Sequence, residues 1–227
     1  MSGSSIAERL SSVRERIARA EARAGRAAGS VTLVAVSKTK PVEAIREAYA
    51  RGQRVFGENY VQELIEKHHA LADLRDLELH FIGHLQTNKA KDVVRARATV
   101  ETLDSPRLAT ELAKRAVNEG VRVPVLVQVN VAREAQKSGC DPDALEALIR
   151  HVRALSSLEL RGLMTIPPHD DDLERLRPHF AALRALRDRH LDANATLSMG
   201  MSADLEVAIE EGATHVRVGT AIFGERS

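Results

Sequence analysis

The chain has 227 residues, 44% of them hydrophobic but only 3% aromatic and none tryptophan, so its core has to be aliphatic. Its 33 basic and 32 acidic residues leave a formal charge of +1, and that balance, with few rings to stack on bases, argues against nucleic-acid binding. No apolar run reaches the roughly 20 residues of a membrane span, the opening "MSGSSIAERL" lacks the apolar centre of a signal peptide, and the lone Cys140 has no internal disulfide partner; a soluble cytoplasmic protein is expected.

Residues 1–30 read as one amphipathic helix. Ile6, Leu10, Val13, Ile17 and Ala20 recur at three- and four-residue steps, and the glycines of "AGRAAGS" stop it. Glu8, Glu15 and Glu21 dilute its basic charge, which favours packing on the protein's own surface over a targeting role.

From Ser30 the chain alternates. Strand-like runs occur at "VTLVAVS", "RVFGEN", "LELHFIG", "TVETLD", "VPVLVQVN", "LELRGLMTI", "TLSMG" and "HVRVGT". Helical patterns lie between them: "PVEAIREAYARG", "YVQELIEKHHALADL", "TNKAKDVVRARA", "SPRLATELAKRAVNEG", "DPDALEALIRHVRALSS", "DDLERLRPHFAALRALRDRHL" and "SADLEVAIEEG". Strict alternation implies parallel pairing with helical crossovers, and consecutive apolar residues suit strands covered on both faces. The expectation is a closed (β/α)8 TIM barrel over residues 31–227 with an extra N-terminal helix. The competing doubly wound sheet would call for a glycine-rich phosphate fingerprint after an early strand, and neither G-x-G-x-x-G nor G-x-x-x-x-G-K-[ST] is present.

In such barrels function gathers at the C-terminal strand ends. In "VAVSKTKP", Val34, Val36 and Lys38 share one parity, and Leu33, Ala35 and Ser37 the other. If the first set faces inward, Lys38 enters the mouth above a layer of valines. A partly desolvated lysine there has a lowered pKa and a neutral amine, able to attack a carbonyl. The plainer alternative is a rim lysine that reaches water or pairs with Glu58. Lys40 shares the parity but lies past the strand, before Pro41, which should open a helix.

At the far end, Ser198, Gly200 and Ser202 follow the seventh strand, and Gly219 and Thr220 the eighth. Loops in these two places recur as a phosphate site of this fold, with glycines admitting close backbone amides. Amine and anion cradle together describe an aldehyde with a phosphate tail. Pyridoxal 5′-phosphate (PLP) fits that description, and so does a phosphosugar.

The blocks "VAVSKTKP", "FGENYVQE", "LHFIGHLQTNK", "GLMTIPP" and "LSMGMSADLEVAIEEGATHVRVGTAIFGER" resemble the pyridoxal phosphate homeostasis protein family, relatives of the alanine racemase N-terminal barrel, in order from about Val31 to Arg226. The resemblance implies a barrel without the racemase's second, β-rich domain, and a monomer. It makes Lys38 the lysine of the internal aldimine. Ser198, Gly200, Gly219 and Thr220 become phosphate ligands, with Ser202 beside them, and Asn59 and Met164 line the cofactor. Arg217 matches the arginine that faces the pyridine nitrogen; the plain reading of it is a buried ion pair. A permanent guanidinium there disfavours protonation of the ring and weakens it as an electron sink.

Racemisation also needs a base on the opposite face, which related racemases draw from the domain this chain is expected to lack. Tyr49, Tyr60, His84 and a Cys140 thiol are the candidates, and none is convincing, so no catalytic residue is assigned. "EKHH" at 66–69 and "PPHDDD" at 167–172 invite a metal reading, but adjacent helical histidines diverge by about 100°, and Asp170 to Asp172 suit a helix start; no metal is expected. The functional expectation is a cytoplasmic PLP-binding protein of vitamin B6 homeostasis that buffers PLP or delivers it transiently to PLP-dependent apoenzymes. A weak amino-acid racemase is the alternative, and a Schiff-base aldolase acting on a sugar phosphate is the second.

Overall fold

The computed structural model describes residues 5–224. The first four residues of the N-terminal stretch, and Glu225 and Arg226 of the last motif, lie outside the described residues. Eight strands close into one parallel barrel in chain order: β1 (Thr32–Val36), β2 (Val55–Glu58), β3 (Glu78–Phe81), β4 (Thr99–Leu103), β5 (Val123–Gln128), β6 (Leu158–Met164), β7 (Thr196–Ser198) and β8 (His215–Val218). Pairing of β1 with β8 completes the circle, so the (β/α)8 barrel with its extra helix is the architecture observed.

Helix α1 (Ile6–Arg23) precedes the barrel; Ser5 and Glu8 form a reciprocal capping box at its start, and Leu10, Val13, Ile17 and Ala20 are buried. The outer ring follows as α2 (Val42–Ala50), α3 (Val61–Ala70), α4 (Ala90–Arg95), α5 (Pro106–Asn118), α6 (Leu145–Arg153), α7 (Arg177–His190) and α8 (Leu205–Glu210), with a last short turn, α9 (Thr220–Phe223). Pro41 caps α2, as its position beside the first strand suggests. Several helices begin later than their sequence pattern, behind 3-10 turns at Thr87–Lys89, Pro142–Ala144 and Leu173–Arg175. In the last two, Asp141 and Asp172 accept backbone N–H groups two residues on, a local bond that tightens the entry.

There are two cores. One lies between sheet and helices and holds Leu33, Ala35, Phe56, Phe81, Val100 and Val216 among many aliphatics. The other fills the barrel. Val34 is in register with Arg217, Gly57 with His80, and Met164 with Ser198, and registered residues of parallel strands face the same way. Val34, Ile82, Leu126 and Met164 are the buried apolar part of this inner set. A Cβ built on Gly57 would lie 3.0 Å from Ile82 and 3.1 Å from Val34, which puts these three side by side inside. Val34 and Val36 therefore face inward, and Lys38 follows two residues later on the turn that leaves the strand.

Candidate functional site

Strand β1 ends at Val36, and the chain then turns sharply: the Lys40 N–H donates to the Ser37 carbonyl at 3.0 Å, and Thr39 sits at φ 61°. A β-branched residue with positive φ is a conformational outlier. Lys38 is half-buried on this turn. The Glu58 carboxylate, one strand over, binds Lys67 at 2.8 Å and the Ser37 hydroxyl at 2.6 Å.

The adjacent loop approaches this tip closely. A Cβ on Gly219 would lie 3.2 Å from the Val36 carbonyl oxygen and 3.3 Å from the Val36 Cβ. Gly219 starts α9, and its carbonyl accepts from Ile222 and Phe223 at 2.9 Å; the first N–H groups of any helix have no acceptor within it. On the neighbouring loop, Gly200 has φ 93°, and a Cβ there would come 2.5 Å from that of Ala208, so only glycine suits. The Gly200 carbonyl accepts from the Arg217 N–H at 2.9 Å. Helix α1 ties both loops down from outside: Arg16 donates to the Ser202 carbonyl at 2.9 Å and to Glu206 at 2.7 Å, and Arg9 to the Ile222 carbonyl at 2.6 Å.

Beneath the mouth the barrel holds charge where aliphatic layers are usual. Arg217 donates to the Ser198 hydroxyl at 2.7 Å and to the Thr165 carbonyl at 2.8 Å. Ser198 donates in turn to Glu101 at 2.5 Å, and Glu101 meets His80 Nδ1 at 2.6 Å. The guanidinium stands 4.0 Å from Glu101, so the plain reading of Arg217 as a buried ion pair also holds. Burial alone would raise the Glu101 carboxyl, but His80, Arg217 and Ser198 hold it down at about 2. His215 stacks on His80 at 6.1 Å, and burial pushes it down to about 4. Both rings border a cavity of about 230 Å³ at the opposite, N-terminal end of the barrel, with Thr32, Thr99 and Thr196. Polar contacts thus run up the barrel axis to the candidate site.

Of the sequence-derived candidates, Lys38, Gly219 and Thr220 lie on the adjoining ends of β1 and β8, with Gly200 and Ser202 on the next loop. Ser198 is fully buried, its hydroxyl engaged by Glu101 and Arg217. Met164, also fully buried, is its registered neighbour. Asn59 directly follows β2, and its Oδ1 is buried without a partner among the described residues. Its backbone packs so tightly on Gly83 that a Cβ there would lie 2.1 Å from the Asn59 carbonyl oxygen.

Sequence reasoning missed Glu101, His80, His215 and the Glu63–Lys67 pair. A charged residue of inward parity on a strand buried on both faces was the available signal for Glu101. Of the candidate second bases, His84 is exposed and lines one surface cleft with Asn59 and Tyr60 and another with Asn88 and Arg107. Tyr49 bonds Asp76 beneath the Arg54 guanidinium, and Tyr60 is exposed at the start of α3. Burial pushes the Cys140 thiol up to about 12, leaving it protonated and inert near neutrality. His68 and His69 contact each other edge to face, and no group of three metal-ligating side chains forms among the described residues. No described helix is long and apolar enough to cross a membrane.

The family model described as alanine racemase, N-terminal domain, matches residues 9–227. A pyridoxal phosphate homeostasis protein of Aquifex aeolicus is 49% identical, covering 96% of this chain and 97% of its own length. The chain belongs to the pyridoxal phosphate homeostasis protein family. A second family member, from Pseudomonas aeruginosa, is 49% identical over 98% of this chain and 96% of its own. PipY of Synechococcus elongatus, a structure with PLP bound, superposes with a TM-score of 0.83 at 40% identity, covering 96% of this chain and all (100%) of that one.

Proposed function

We propose that this chain binds PLP at the C-terminal mouth of its barrel and serves PLP homeostasis by holding and releasing it. The observation that supports the reading is that the end of β1, two residues before Lys38, packs against the start of the Gly219–Thr220 turn that follows β8, through Val36 and Gly219. Two features fit the group. The Asn59 Oδ1 is a buried acceptor without a partner among the described residues, and Gly200 and Gly219, packed against Ala208 and Val36, bring backbone without side chains to the loops that follow β7 and β8. Bound PLP supplies an aldehyde that an amine can capture and a ring that can accept electrons.

In this reading the Lys38 amine makes the covalent link. Gly219, Thr220, Gly200 and Ser202 hold the phosphate. Asn59 and Met164 line the ring, and Arg217 faces its nitrogen. Ser198, counted from the sequence among the phosphate ligands, acts from below: its hydroxyl proton goes to Glu101 and its oxygen accepts from Arg217. With Glu101 at 4.0 Å, Arg217 presents a partly neutralised cation rather than an acid. That arrangement suits retention better than turnover. The protein would work as a cytoplasmic monomer, passing PLP transiently to PLP-dependent apoenzymes.

Reducing the loaded protein with borohydride and mapping the pyridoxyl adduct by mass spectrometry tests the reading: a single adduct on Lys38 is expected, and an unmodified Lys38 contradicts it. Turnover of single alanine or serine enantiomers well above that of free PLP would favour a racemase, and cleavage of a sugar phosphate by colourless protein an aldolase.

A further inference from the structure

Lys38 lies between two backbone groups that the same helix grips. Lys67 of α3 donates to the Ser37 carbonyl at 2.8 Å, to Glu58 at 2.8 Å and to Glu63 at 3.0 Å. Glu63, one turn earlier on α3, accepts the Thr39 N–H at 2.7 Å. Glu58 adds a bond from the Ser37 hydroxyl at 2.6 Å. Residues 37 and 39, on either side of Lys38, are thus both pinned to α3 or to the Glu58 that α3 holds.

The pinned conformation is not one the chain would choose. Thr39 occupies the left-handed region at φ 61°, where a β-branched side chain crowds its own backbone. Such an outlier persists only where its surroundings over-determine it, and the bond to Glu63 does so here. Lys67 is buried and α3 packs on the barrel wall, so the grip is rigid rather than a surface tether. A lysine side chain has four rotatable bonds, so the aim of its amine depends on a fixed base. Misplacement by about 1 Å can cost on the order of 100-fold in rate.

We propose that Glu63 and Lys67 form a positioning clamp that aims the Lys38 amine for covalent capture of the aldehyde. This rests on the reading of Lys38 as the capturing amine. In the step concerned, the lone pair of Lys38 Nζ bonds the aldehyde carbon, and the aldehyde oxygen leaves as water with both amine protons. In this proposal Glu63 and Lys67 act through their bonds to the backbone of residues 39 and 37.

The test separates capture from binding. PLP measures capture; 4-deoxypyridoxine 5′-phosphate, with the same ring and phosphate but no aldehyde, measures pocket affinity. Wild-type protein and Glu63→Gln, Glu63→Asp and Glu63→Leu are compared, each checked for fold by circular dichroism. Wild type must first give a borohydride-fixed adduct on Lys38; failure there sinks the parent reading rather than the clamp. Given that, Glu63→Leu should slow capture 10- to 100-fold while analogue affinity moves less than about threefold. Glu63→Gln, still an acceptor for the Thr39 N–H, should recover most of the rate, and Glu63→Asp, one methylene short, should fall between. Adding Thr39→Gly to Glu63→Leu should restore part of it, since glycine adopts positive φ freely. Capture at the wild-type rate in Glu63→Leu, or a parallel loss of capture and analogue binding, overturns the clamp. If Glu63→Leu does not fold, Glu63→Asp decides: a slowed capture with intact analogue binding supports the clamp, and an unchanged one refutes it.

Discussion

Two buried charge clusters lie on the two sides of the barrel wall, and they are built differently. Inside the barrel, Glu101 is enclosed by His80, Ser198 and Arg217, and its carboxyl is held at about 2 despite burial. Outside the barrel wall, Glu58 engages Lys67 and Ser37 through one oxygen, while its Oε2 has no partner among the described residues and burial wins, raising its pKa. The inner cluster fixes a permanent charge pair under Arg217, the residue assigned to the ring. The outer one raises the pKa of its carboxyl, chiefly through burial, and sets its Lys67 amine on the Ser37 carbonyl. Both carboxyls are buried, yet their pKa values move in opposite directions; the number and kind of donors around each decides.

The largest effect should come from breaking the inner pair. Glu101→Leu strands a buried guanidinium and should cost about 3–5 kcal/mol in chemical denaturation. The double variant Glu101→Leu with Arg217→Met should be less damaging than Glu101→Leu alone; a simple sum of the single losses would mean that the two residues do not act as a pair.

Acid should find the same cluster. His215, with a folded value of about 4, resists the proton that the unfolded chain accepts near 6.5, so stability is lost as pH falls between these values, by up to about 3 kcal/mol. Glu101 contributes stability above about 4.5 that is lost as pH falls towards about 2. His215→Met should flatten the upper part of the pH–stability curve and spare the lower; an unchanged slope between pH 6.5 and 4 would remove His215 from the account.

The outer cluster should be more forgiving. Lys67→Met is expected to cost about 1–3 kcal/mol, less than Glu101→Leu, because Glu58 can take up a proton once its partner is gone. Urea titrations at pH 5 and 8 check this, with a larger loss expected at pH 8, where protonating Glu58 is harder; equal costs for the two clusters would erase the contrast. The smallest effect belongs to Cys140: its thiol at about 12 and its burial predict negligible labelling by a thiol reagent in the native protein at pH 7 and full labelling in urea.

The barrel was legible because strict strand–helix alternation leaves few topologies, and alternation along "VAVSK" grouped Val34 with Val36, the two that the registers place on the inner face. What escaped depends on contacts across the sheet. Glu101 sits in "TVETLD", a run whose apolar neighbours hide a charge until β7 and β8 are placed beside it by closure. Lys67 lay within "EKHH", where the histidines drew the eye to metal chemistry. Strand eight was read through Thr220, but Gly219, at φ −115° and ψ −76°, ends it and turns the chain into α9. The late helix starts likewise reflect local Asp caps that periodicity does not register.

The most direct test of the central claim sets the visible spectrum of PLP-loaded wild type beside that of Lys38→Ala, followed by borohydride and peptide mapping. The account predicts an imine band in wild type that is absent from Lys38→Ala, with the reduced adduct on Lys38 and some PLP still held noncovalently by the variant. An unchanged band in Lys38→Ala, or an adduct on any other lysine of the wild-type protein, would contradict it.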